Sequence, residues 1–219
     1  MRTHMIRSSL ALALLSACGM ASAAIAPKEL QVTGTVKTPT CVVSSDKDGV
    51  YDYGKVNASL IPTSGYLTLS TIDQVWTVDC GSGKTFMSFQ VVDNREASSA
   101  SVSSQNFGLG AVAGFPTSKL GYFTVTLNGA KVDQANVNVL RGTKGAASGT
   151  GAASSFLDKT LSHSWTTSGT TGALPLSGSV FSMGLRVSAF VASETVRGAP
   201  ITEGTPLDGN LTLNYAFGL

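Results

Sequence analysis

The chain has 219 residues, 42% hydrophobic and only 13% charged. That fits one domain and excludes a disordered polyelectrolyte or a coiled coil, both of which need far more Glu, Lys and Arg. The formal charge of +2 comes from Arg2 and Arg7, because the remaining 13 Lys and Arg match 13 Asp and Glu, and no basic run is present to track nucleic-acid phosphates.

Residues 1–9 carry Arg2 and Arg7, residues 10–20 form an apolar run, and Ala21-Ser22-Ala23 supplies the small residues a signal peptidase reads. Residues 1–23 are therefore expected to be a secretory signal, with the exported chain starting at Ala24. Leu15-Ser16-Ala17-Cys18-Gly19 also matches a lipobox, in which Cys18 would be acylated. The apolar stretch it would leave is short, so cleavage after Ala23 is preferred. Both routes remove Cys18 as a free thiol and leave Cys41 and Cys80 as an even pair in an oxidising compartment, so a disulfide is expected.

From residue 30 the pattern has period two, with Leu30, Val32, Gly34 and Val36 on one face and Gln31, Thr33, Thr35 and Lys37 on the other, which predicts a strand. Further strands are expected over residues 66–79, 85–92, 121–127, 137–141 and 177–192. Asn128-Gly129 reads as a two-residue hairpin turn. Residues 97–105, 141–155 and 166–172 are rich in Ser, Thr, Gly and Ala, and are expected to be loops, mobile where no large side chain can repay ordering.

Motifs that suggest chemistry mostly fail. Gly81-Ser82-Gly83-Lys84-Thr85 imitates the end of a phosphate-binding loop, but position 78 holds Val78 and the next residues alternate like a strand, so a turn is expected. His163, between two serines, is the single histidine beyond residue 23 and has no nucleophile elbow to serve, so a solvent-facing or locally bonded ring is expected. Asp46-Lys47-Asp48-Gly49 lacks the spacing and closing Glu of a calcium loop and reads as a turn. No metal, cofactor or catalytic residue is assigned, and an enzyme is not expected.

In the tail, Leu211, Leu213, Tyr215, Phe217 and Leu219 are apolar while Asn210, Thr212, Asn214, Ala216 and Gly218 alternate with them. A terminal strand with one apolar face needs a neighbour. An ordinary last strand of a sandwich also accounts for it.

Three stretches together resemble subunits of the Gram-negative chaperone–usher pilus system: Leu30-Gln31-Val32-Thr33-Gly34-Thr35-Val36 leading into Cys41, Trp76-Thr77-Val78-Asp79-Cys80, and the end from Arg186 through Gly209 to Tyr215. Tyr51-Asp52-Tyr53-Gly54-Lys55-Val56 and Val92-Asp93-Asn94-Arg95 are similar to a fimbrial-like branch of exported proteins long carried as a domain of unknown function. The chain departs from the pattern where Tyr215 is followed by four residues and Gly209 lies only six before it.

The resemblance implies an all-β, immunoglobulin-like β-sandwich that lacks its final strand and carries one disulfide, over residues 37–219. It implies a donor strand at residues 24–36, with Leu30, Val32, Gly34 and Val36 docking into another subunit. It implies an edge at Leu211, Leu213, Tyr215 and Phe217 read by a chaperone. The function implied is a structural fimbrial subunit polymerising by donor-strand exchange and serving cell adhesion. Its partners would be a periplasmic chaperone, an outer-membrane usher, other pilin subunits or copies of itself, and a host or surface ligand; its place would be the periplasm in transit and then the cell surface. The alternatives are a self-complete periplasmic or lipid-anchored binding sandwich and a minor tip-associated adhesin subunit.

Overall fold

The computed structural model describes residues 30–36 and 38–218. The expected signal at residues 1–23 and the start of the expected donor segment lie outside them. Met1–Lys37 and Thr38–Leu219 are two separate units. In the first, residues 30–36 form no helix or strand, and Leu30, Val32 and Val36 are exposed. The strand expected there is thus not formed: apolar alternation makes a strand only when a neighbour supplies the ladder.

The second unit is a sandwich of two antiparallel sheets. Its strands are β1 (Val42–Ser45), β2 (Tyr66–Thr68), β3 (Ile72–Asp79), β4 (Thr85–Asp93), β5 (Phe107–Gly108), β6 (Gly121–Val132), β7 (Ala135–Asn136), β8 (Asn138–Thr143), β9 (Gly149–Ala152), β10 (Ser155–Phe156), β11 (Leu161–Thr166), β12 (Thr171–Ala173), β13 (Ser177–Gly178), β14 (Val180–Ala192) and β15 (Leu211–Phe217). The first sheet runs β1-β3-β14-β6-β10, with β2 also on β14 and β5 and β7 also on β6. The second runs β12-β9-β8-β11-β4-β13, with β15 also on β4.

Alternation builds the core. Phe123, Val125 and Leu127 of β6 and Phe181, Met183, Leu185, Val187 and Ala189 of β14 are buried, as are Met87, Phe89 and Val91 of β4 and Trp165 of β11. All belong to one contiguous cluster. Trp165 ties the layers: its indole lies 5.0 Å from the Phe181 ring and its Nε1 donates to the Ser182 carbonyl at 3.0 Å. Cys41 and Cys80 are bridged, joining the start of β1 to the end of β3, which are paired strands. Closing that loop of 39 residues removes chain entropy from the unfolded state, worth about 4 kcal/mol in the loop-closure picture.

Three further expectations are corrected. Asn128-Gly129 does not turn the chain, because β6 runs through it: one extra residue is accommodated between Asn128 and Lys131 opposite β14, and Gly129 takes φ 55°. This is a bulge, which the same positive-φ preference favours. The turn comes later, at Asp133 and Gln134, with φ 48° and 70°, pairing Val132 with Ala135.

Residues 141–155 hold the end of β8, all of β9 and the start of β10 rather than a free loop. Gly149 and Gly151 make this possible: a Cβ there would collide with the carbonyl oxygens of Arg141 and Ser168. Residues 97–105 and 167–170 are loops, as expected; the first is held by a bridge from Ser99 to Gly121 and by the Tyr66 phenol on the Ala100 carbonyl at 3.1 Å, and the second links β11 to β12.

His163 is the third. Instead of facing solvent it is wholly buried, stacked on Phe89 at 5.4 Å, and neither ring nitrogen has a hydrogen-bond partner among the described residues. As an odd-numbered residue of β11 it shares the inward face with Trp165.

A charged cluster fixes the end of β4. The side chain of Asp93 is fully buried. Its Oδ1 accepts from the Arg95 amide at 2.9 Å and its Oδ2 from the Gly108 amide at 2.9 Å. Lys159 Nζ stands 3.9 Å from that Oδ2, 3.0 Å from Glu96 Oε1 and 2.9 Å from the Asn106 carbonyl. Both carboxylate oxygens are thus satisfied, as a buried anion requires.

Candidate functional site

Residues 50–53 alternate like a strand, Gly54 then turns the backbone to φ 62°, and residues 50–57 carry no ladder. They are held by side chains. Tyr51 Oη donates to the Leu185 carbonyl and Tyr53 Oη to the Val187 carbonyl, each at 3.1 Å. Trp76 Nε1 donates to Tyr51 Oη at 3.0 Å, and Gln74 Nε2 to the Val50 carbonyl at 2.5 Å. Burial pushes both phenols up to about 12, so they remain neutral donors at physiological pH. For Tyr51 the indole hydrogen bond pulls the other way, more weakly. The segment therefore lies across β14 without joining its sheet.

Facing it is β15. Leu211 to Phe217 pair antiparallel with Asp93 to Met87 of β4 along one edge, and the other edge has no strand among the described residues. Between the two rails opens a cavity of about 340 Å³ lined by Tyr51, Tyr53, Phe123, Leu185, Val187 and Leu211. Tyr51, Tyr53 and Leu207 also line a second cavity, of about 920 Å³, that extends between residues 50–58 and residues 201–207. Gly209 sits at the throat of the smaller one: a Cβ there would lie 2.7 Å from the Phe123 ring. The groove has an apolar floor and backbone rails, suited to binding an extended apolar peptide. No cluster of three or more His, Cys, Asp or Glu able to hold a metal exists among the described residues.

The residues singled out from the sequence fall in different places. Of the four edge residues only Leu211 lines the groove. Leu213 and Tyr215 are half-buried against the core, Tyr215 lying 5.4 Å from the Phe89 ring, and Phe217 is 45% exposed beyond them. Burial raises the Tyr215 phenol, and the facing Tyr51 adds to the effect. Leu30, Val32, Gly34 and Val36 belong to the separate unit and are all exposed. Tyr51 and Tyr53, which form the opposite rail, were visible in the sequence only as part of the Tyr-x-Tyr-Gly motif; their spacing of two around Asp52 is the signal that marks them as one inward face. No helix among the described residues is long and apolar enough to cross a membrane. Neither a protein-family model nor a curated protein matches the chain.

Proposed function

We propose that this chain is a structural subunit of a chaperone–usher fimbria, an immunoglobulin-like sandwich short of its final strand, exported through the inner membrane and assembled at the cell surface. The observation that carries the reading is the apolar groove between residues 50–57 and the edge of β15 that has no strand among the described residues. An added strand there would hydrogen-bond to the β15 edge and seat alternate side chains on Phe123, Leu185 and Val187. Residues 24–36 of a second subunit are the occupant in the assembled fibre. In support, Leu30, Val32 and Val36 are exposed and residues 30–36 have no strand pairing. A periplasmic chaperone holds the groove in transit, and no catalytic or cofactor role is assigned.

The test is a pair of variants read by polymer ladders and chaperone co-purification. Leu30→Asp/Val32→Asp removes two apolar side chains worth about 1.5 to 3 kcal/mol each when buried; it should stop polymerisation and leave chaperone binding intact. Leu211→Glu, which charges the groove wall, should lose the chaperone. If the first variant misfolds as a monomer, the strip pairs within its own chain and the protein is a self-complete sandwich.

A further inference from the structure

We propose that the sandwich carries an acid-sensitive element at His163, whose protonation loosens the second sheet and the β15 rail with it. The inference rests on the fold alone and stands whether or not the chain polymerises.

His163 sits in the middle of the second sheet, with Arg141 of β8 and Phe89 of β4 as its cross-strand partners. Its ring stacks on Phe89, and Phe89 lies 5.8 Å from Trp165 and 5.4 Å from Tyr215 of β15. The imidazole is therefore one aromatic ring away from the edge strand that walls the groove. Fully buried and with neither nitrogen paired, it is tolerated as a neutral filler. A proton would place a charge in the core.

The surrounding groups do not compensate that charge. From β4 Phe89 stacks on the ring, and Tyr215 of β15 packs on Phe89 rather than on the imidazole. From the turn before β11 comes Asp158, whose Oδ1 accepts from the Thr160 amide at 2.9 Å and its hydroxyl at 2.6 Å, and whose Oδ2 accepts from Ser104 at 2.7 Å and Gln105 at 3.3 Å. Burial raises that carboxyl, but these bonds together outweigh it and hold it at about 2, so it stays ionised and committed elsewhere. Arg141 of β8 and Lys144 of the turn after it add like charge. Burial dominates and depresses His163 to about 4; Asp158 and the Phe156 carbonyl, which approaches without hydrogen-bond geometry, offset it only in part.

The sign follows from linkage. A histidine depressed in the fold is protonated first in the unfolded chain, so stability is full above the ordinary histidine range near 6.5 and falls as pH drops toward 4. At pH 4, where the folded ring is half protonated, the loss relative to pH 7 is about 100-fold in the folding equilibrium.

The exported full chain, with any bound partner retained, should be compared with His163→Leu by urea unfolding from pH 7 to pH 4. The wild type should lose about 100-fold more of its folding equilibrium than the variant over that range. Equal losses would overturn the proposal. The second measurement needs no variant: the ring resonances of His163 in the wild type, followed with amide exchange. The ring should stay neutral until about pH 4, and the amides of β4, β11 and β15 should then lose protection ahead of β6 and β14 in the same sample. A ring titrating near its ordinary pH with β15 still protected would overturn it.

Discussion

The phenol of Tyr51 and the carbonyl of Leu185, 134 residues apart in the chain, are joined by a 3.1 Å hydrogen bond that pins one rail of the groove to the central strand of the first sheet. The same phenol accepts from Trp76 Nε1, so removing its oxygen strands a donor and an acceptor together. Tyr51→Phe is expected to cost about 1 to 3 kcal/mol, and Tyr53→Phe, which leaves one carbonyl, about 1 kcal/mol, by urea unfolding at neutral pH. Both phenols titrate higher in the fold than free tyrosine, at about 12. Their contribution is full below pH 10 and lost as pH rises toward 12, so the double Phe variant should show a flatter alkaline stability profile than the wild type.

Gly209→Ala should narrow the groove. The new methyl meets the Phe123 ring at 2.7 Å, and overpacking of this kind costs about 1 to 3 kcal/mol. A peptide of residues 24–36 should bind the variant more weakly than the wild type, read by anisotropy of a labelled peptide; unchanged binding would place the docking site elsewhere.

Reducing the Cys41–Cys80 bridge, or replacing both residues by Ser, should cost up to about 4 kcal/mol. Intact mass after alkylation under native conditions should show no free thiol in the exported protein.

Asp93→Asn sets an amide donor against one of the two backbone N–H groups, Arg95 or Gly108, that the carboxylate now accepts. The expected cost is about 1 to 3 kcal/mol. Lys159→Met leaves Asp93 its two amides and releases Glu96 and the Asn106 carbonyl, so it should cost less while making residues 96–106 cut faster in limited proteolysis.

N-terminal sequencing of the exported protein should read Ala-Ile-Ala-Pro-Lys. Fatty-acid labelling that disappears in Cys18→Ser would reverse the choice of cleavage site and give an anchored sandwich.

Much of the sandwich was legible because β3, β4, β6 and β14 are long and largely alternating, and because Cys41 and Cys80 have no other partner once Cys18 is removed. Alternation records that one face is apolar, and it does not record who supplies the ladder. That is why residues 30–36 read as a strand, and why residues 50–57, anchored by two phenols and no ladder, read only as a motif. Positive-φ residues such as Gly129 serve bulges and turns alike, and only the pairing of β6 with β14 separates the two. His163 was misplaced because polar identity outweighed its odd-numbered position beside Trp165, which already put it on the inward face. The groove depends on contacts over more than a hundred residues, which no local pattern carries.

The strand that centres the first sheet is made late. β14 lies between β3 and β6 and spans Val180–Ala192, so during synthesis β3 and β6 each keep one unpaired edge until nearly nine-tenths of the chain has emerged. Pairings of such long sequence separation close slowly, and the waiting edges are open to wrong partners. The order of emergence thus makes this a chain that needs protection before it has a fold to protect, and it predicts that slowing its synthesis will raise aggregation more than destabilising the finished sandwich does.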